Sequence, residues 1–112
     1  MILEYSFGTL RIETTRIGED LLVTVSGGER PHIGSVVLSE PRPSLSGDGS
    51  TSCTSSVLNR VGHKDEQICR YLAEKACKKY GVAVVCTGGF HMDDMSAEQI
   101  REVISSLDGV DV

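Results

Sequence analysis

The feature that most constrains this chain is a change of hydrophobic period about halfway along it. Over the first forty residues apolar side chains alternate with polar ones. Leu3, Tyr5 and Phe7 come first, then Leu10 and Ile12, then Leu21, Val23 and Val25, and finally Val36 to Leu38. A period of two marks half-buried strands. From Asp65 to Tyr80 the apolar set Ile68, Cys69, Leu72, Ala73, Ala76, Cys77 and Tyr80 recurs with helical spacing, and Gly81 supplies the stop. Val82 to Cys86 is wholly apolar, as a strand at the centre of a sheet would be. Ser96 with Gln99 three residues on forms a capping box for a second helix, with Ile100, Val103, Ile104 and Leu107 as its buried stripe and Gly109 at its end. The pattern predicts an α+β fold: an N-terminal antiparallel β-meander, then helix–strand–helix, with both helices on one face of a mainly antiparallel sheet.

At 112 residues the chain has room for one domain, spanning 1–112, with an expected radius of gyration of roughly 13 Å. The formal net charge of −5 and the lack of a Lys/Arg cluster exclude a nucleic-acid footprint. No apolar run reaches the ~20 residues of a membrane span, and MILEYSF lacks the features of a secretory signal, so a cytoplasmic protein is expected. The four cysteines form no CxxC pair; Cys69, Cys77 and Cys86 read as small core residues. Residues 39–62 are rich in Ser, Gly and Pro and read as a long surface loop, a candidate lid. Thr51 to Leu58 within it carries a weak edge-strand signal.

All three histidines fall beside glycines: His32 in GGERPHIG, His63 in GHKD and His91 in GGFHMDD. Glycine permits positive φ and close backbone approach, and two of these corners precede helix N-termini, where an anion is favoured. Arg30, Arg42, Arg60 and Lys64 lie in or near the same corners and suit a phosphate. Plain alternatives stand beside this. The glycine pairs also suit turns or bulges, and Asp93-Asp94 also suits a helix N-terminus. A metal site would need His32, His63 and His91 with nearby aspartates, without any local ligand spacing in its favour. No serine or cysteine pairs with a recognisable base, and no phosphate-loop pattern is present.

Taken together and in order, GGERPHIG, GHKDEQICRYLAEK and VVCTGGFHMDDMSAEQI resemble the small D subunit of gallate decarboxylases, a family of prenylated-flavin chaperones. The resemblance covers residues ~20 to ~104, and by fold it extends to the proteasome assembly chaperones. It implies a non-catalytic accessory protein that binds or delivers prenylated FMN to a UbiD-type decarboxylase, downstream of a flavin prenyltransferase. It also implies a homodimer or higher homo-oligomer. Carried onto this chain, the cofactor-binding residues would be His32, Gly34, Arg42, His63, Lys64, Asp65, Gly89 and His91. The third tract reads GGFHMDD where the gallate-type proteins have GIH followed by Val-Asn, and PRPSL at 41–45 also departs from their loop. Two other classes remain open: an assembly protein whose histidine corners are structural, and a small histidine-based metal protein.

Overall fold

A computed structural model of the chain describes residues 1–60 and 66–112. Five strands come first: β1 (Ile2–Tyr5), β2 (Gly8–Ile17), β3 (Asp20–Gly28), β4 (Ser35–Pro43) and β5 (Thr51–Asn59). They are followed by α1 (Glu66–Tyr80), β6 (Val84–His91), α2 (Ala97–Ser106) and a closing 3-10 turn, Leu107–Gly109. The fold is α+β, as the two periods predict. The sheet has six strands in the order β1-β2-β3-β6-β4-β5, and every neighbour pair is antiparallel except β3 with β6.

The meander is real only through β3. β4 does not pair with β3; β6 inserts between them, parallel to β3 and antiparallel to β4. The physical reason lies in the composition of β6, whose VVC tract needs a sheet neighbour on both edges and apolar cover. The first hairpin takes Phe7 out of the alternating strand pattern and into its turn. Tyr5 pairs with Gly8, so Ser6 and Phe7 form the two-residue tip.

The stretch read as a long lid is mostly strand. β4 runs through Pro41 to Pro43 and pairs residue for residue with β5, from Ser35–Asn59 to Pro43–Thr51. The loop shrinks to residues 44–50, where Asp48 accepts from the Ser50 amide at 2.9 Å and from its hydroxyl at 2.6 Å. Pairing with β6 stops at Ser39, so the rest of the hairpin projects as a ribbon. That projection accounts for a radius of gyration of 14.0 Å and a long axis of 43 Å.

The core lies between one sheet face and the helices. Leu10, Ile12, Val23, Val25, Val37, Val84 and Cys86 meet Leu72, Cys69, Cys77, Val103 and Leu107 there. Cys69, Cys77 and Cys86 are fully buried free thiols, as their spacing predicts. Helix α1 ends on Gly81 at φ +66°, whose amide donates to Cys77 O at 2.8 Å. The predicted capping box is present at α2: the Gln99 amide donates to Ser96 Oγ at 3.1 Å, and the Ser96 amide to Gln99 Oε1 at 2.9 Å. Its α-helical turns stop at Ser106 and a 3-10 turn carries the helix on to the predicted stop at Gly109, and Ile100 is only half-buried. No helix among the described residues is long and apolar enough to cross a membrane.

Candidate functional site

The insertion of β6 beside β3 is what builds the site. Gly28 and His91 are register partners at the ends of these strands, so the segments that leave them, Glu29–Gly34 and Met92–Ser96, start side by side. The Glu29 amide donates to His91 O at 2.8 Å and the Gly34 amide to Gly88 O at 2.8 Å, closing the first segment over the strand ends. Arg60, at the exit of β5, seals the other side: its amide donates to Gly34 O at 2.9 Å and its guanidinium to Ile33 O at 3.1 Å.

Two of the predicted histidines meet here. The rings of His32 and His91 are 6.2 Å apart and nearly perpendicular, at 79°. His32 donates through Nδ1 to Arg30 O at 2.8 Å, which fixes that ring's tautomer. His91 Nε2 lies 2.9 Å from Asp93 Oδ1, and Arg30 reaches the same carboxylate oxygen at 3.3 Å. Arg30 also stands 3.4 Å from His91 Nε2. The shorter contact directs the Nε2–H of His91 at Asp93, leaving Arg30 as the cationic neighbour of that oxygen. The hydrogen bond from His91 foremost, with the charge of Arg30 adding to it, holds the Asp93 carboxyl below the usual carboxylate range. The cluster faces solvent: Arg30 is 71% exposed, Asp93 58% and His91 38%.

At the same end of the sheet, on the face that carries the helices, stands an apolar wall that composition alone did not suggest. Tyr5 and Phe7 stack at 5.1 Å, and both meet Phe90 edge-on, at 6.2 and 6.4 Å. Tyr5 donates its hydroxyl proton to Ser106 Oγ at 2.6 Å, and Ser106 donates on to Val103 O. Met92 and Met95 extend the wall, half-buried against the core. The signal for it was local: Phe90 and Met92 flank His91, and Leu10 pairs with Gly27, which brings the Phe7 hairpin tip to the same end of the sheet.

The glycines serve the backbone. A Cβ on Gly88 would sit 1.7 Å from Val25 O, one on Gly27 2.1 Å from Thr9 O, and one on Gly28 2.0 Å from His91 O. Gly88 and Gly89 belong to β6, and His91 is its last residue, so the third corner begins later than GGFHMDD suggests. Gly34 is buried with its amide and carbonyl both engaged, and Gly89 is buried opposite Ser26. Arg42 lies elsewhere. It is seven residues beyond Ser35, about 24 Å along β4, and donates to Thr54 Oγ1 at 3.0 Å and Pro43 O at 3.2 Å. His63, Lys64 and Asp65 lie outside the described residues. Among the described residues no three His, Cys, Asp or Glu side chains converge as metal ligands would.

The family of prenylated flavin chaperone LpdD-like domains matches residues 6–110. The chain belongs to this family. Its matched span runs from the Phe7 hairpin tip to the closing 3-10 turn, and so takes in the whole His32–His91 corner and all of the aromatic wall but Tyr5. No protein of curated function matches the chain. The family's description supports a chaperone rather than a catalytic role.

Proposed function

We propose that this chain binds prenylated FMN at the corner of Arg30, His32 and His91, with His63, Lys64 and Asp65 completing the site, and delivers it to a UbiD-type decarboxylase. The flavin would arrive from a prenyltransferase. The observation that carries this reading is the cluster of a solvent-facing guanidinium with two imidazoles at the strand ends, with a wall of aromatic and thioether side chains at the same end of the sheet. A prenylated FMN makes those two demands: a phosphate that wants charged donors and a broad ring system that wants apolar cover.

The donor set fits such a ligand. Arg30 and the imidazoles would hold the phosphate, and Met92, next to His91 in the chain, would offer the ring system apolar contact. Arg30 shares its charge with Asp93 at 3.3 Å, but at 71% exposure that pair is weak enough to be exchanged for a dianion. No general acid, nucleophile or metal is required of a carrier, and its work is to exclude oxygen and water from a reactive cofactor.

Anaerobic titration with reduced prenylated FMN, followed by flavin absorbance, tests the assignment. Arg30→Ala or His91→Ala should each weaken binding about 10-fold or more, the worth of a charge-assisted hydrogen bond. Unmodified FMN should bind less tightly than the prenylated form. Wild-type affinity in both variants, with folding intact, would remove the ligand from this corner.

A further inference from the structure

The four free thiols fall into two pairs, each joining α1 to the sheet. Polar contacts between β5 and α1 set the first pair. Asn59 donates to Glu66 at 2.8 Å and Ser55 to Glu74 at 2.7 Å, so strand and helix run in opposite directions. Their advance matches, since four strand residues cover about 13 Å and eight helical residues about 12 Å. One step further along the same two faces stand Cys53, two residues before Ser55, and Cys77, one turn after Glu74. Cys53 is half-buried and packs against the core, whereas Cys77 is fully buried. The second pair is Cys69 of α1 with Cys86 of β6, both fully enclosed.

We propose that Cys53 and Cys77 are a modification site, a dithiol that hydrogen peroxide converts to an intramolecular disulfide between β5 and α1. Cys53 is the thiol a small oxidant can reach. Its thiolate sulfur attacks the peroxide, an S–O bond forms as the O–O bond breaks, and the hydroxide released takes up the thiol proton as water. The Cys77 sulfur then attacks the sulfenic sulfur: the S–S bond forms, the S–O bond breaks, and the oxygen leaves as water with the Cys77 proton. Two thiols and one peroxide give one disulfide and two waters, and a dithiol reductant reverses the change. Burial foremost, and then the Cys53 thiol beside it, hold the Cys77 thiol above its ordinary value, so Cys77 resolves the sulfenic acid rather than reacting first. The Cys69–Cys86 pair is the contrast. Cys69 foremost, and then burial, hold Cys86 well above the usual thiol range, and neither sulfur is open to an oxidant in the folded chain. Eight helical residues, about 12 Å, separate Cys69 from Cys77 and keep the pairs from exchanging. Cys53 stands opposite Pro41, beyond the last β4–β6 pair at Ser39, so the bond would pin the base of the projecting ribbon to α1. It draws on none of the Arg30, His32 and His91 contacts and stands independently of the flavin reading.

The test treats the folded chain with hydrogen peroxide, alkylates the remaining thiols in denaturant and maps them by mass spectrometry. Trypsin parts all four cysteines by cutting after Arg60, Arg70 and Lys78. The wild-type chain should yield a peptide pair linked through Cys53 and Cys77, with Cys69 and Cys86 recovered alkylated. Its thermal midpoint should rise by about 10 °C on oxidation, as closing a loop of this length does, and fall back with a dithiol reductant. In Cys77→Ser, Cys53 should stop at the sulfenic acid, which a cyclic diketone traps. Should Cys77→Ser fail to fold, Cys53→Ser replaces a half-buried thiol and should show neither the link nor the midpoint shift. Wild-type chain recovered with both Cys53 and Cys77 alkylated after peroxide overturns the proposal. So does Cys53 oxidised without joining Cys77, or a link from either to Cys69 or Cys86.

Discussion

Replacing Gly88 with alanine separates a structural glycine from one that cradles a ligand. Gly88 sits in β6 between Val25 of β3 and Ser35 of β4, at φ +136°. An L-residue held at that φ costs of order 1–3 kcal/mol. The new methyl would stand 1.7 Å from Val25 O and 2.7 Å from Val25 C, both backbone atoms with no rotamer to turn away. Relief requires β3 and β6 to part locally, at about 1 kcal/mol for each ladder hydrogen bond lost. Two lost bonds plus the torsional term give about 4 kcal/mol, a large share of the 5–15 kcal/mol that stabilises an ordinary domain. Urea unfolding followed by circular dichroism reads this directly. Gly109→Ala is the control, since nothing lies within 4 Å of its Cβ position and its φ is not positive. We expect the Gly88→Ala midpoint to collapse while the Gly109→Ala midpoint stays within about 0.5 kcal/mol of wild type. A Gly88→Ala protein of wild-type stability that fails only to bind flavin would refute the backbone argument and restore a ligand-facing role.

Two further outcomes follow from single contacts. Lys75 donates to the carbonyls of Leu107, Asp108 and Val110 at 3.1, 2.8 and 2.6 Å, tying the closing 3-10 turn to α1, so Lys75→Met should cost about 2–3 kcal/mol in the same urea assay. A change below 0.5 kcal/mol would mean that the turn is held by packing alone. Glu66 is held below the usual carboxylate range by its hydrogen bonds from Asn59 and then Arg70, and Asp111 by Lys79. Carboxyls depressed in the folded state stabilise it above their unfolded values near 4, and that contribution is lost as pH falls through the folded values. The thermal midpoint should hold from pH 7 to about 5 and then decline, with a shallower decline in the Glu66→Gln, Asp111→Asn double variant; an identical acid limb in that variant would exclude these pairs as its source.

What the sequence made legible is what local chemistry encodes. Helix α1, Glu66–Tyr80 among the described residues, follows the predicted periodicity to its last residue, and the Ser96–Gln99 box forms with both bonds. The position of β6 was not legible, because alternation in β3 and β4 states only that each has one buried face, not which strand stands between them. The lid reading failed for a related reason. Pro and Gly lower strand propensity, yet β4 and β5 pair along their full length, since a serine ladder there satisfies tertiary partners invisible to a local scan. Of the site, His32 and His91 were found through their glycine-flanked corners. Arg30 and Asp93 became its closest neighbours only because β3 and β6 are parallel and end together. Arg42 looked equivalent to Arg30 by composition and lies at the other end of its strand.

That serine ladder explains how a short domain holds its site in place. Ser39, fully buried, shares a 2.7 Å hydrogen bond with Ser55, which donates to Glu74 of α1 at 2.7 Å. Glu74 and Glu66 flank Arg70 on the same helix, the latter at 2.7 Å. Glu66 in turn accepts from Asn59 at 2.8 Å, and Asn59 accepts from the buried Ser35 at 2.8 Å. The chain of contacts leaves β4 at Ser39 and returns to it at Ser35, four residues away, after passing along one face of the helix. Buried hydroxyls are costly when unpaired, and here each has its partner, so the loop fixes the register of α1 on the sheet as well as its contact. Ser35 is also the residue whose carbonyl accepts from Thr87 at 3.0 Å, one step before Gly88 and four before His91. Helix, edge hairpin and histidine corner are thus coupled through one strand of polar contacts. Exchanging Ser39 or Ser55 for valine would keep the apolar packing and still loosen the corner, because the orientation of α1 would lose the directional bonds that set it.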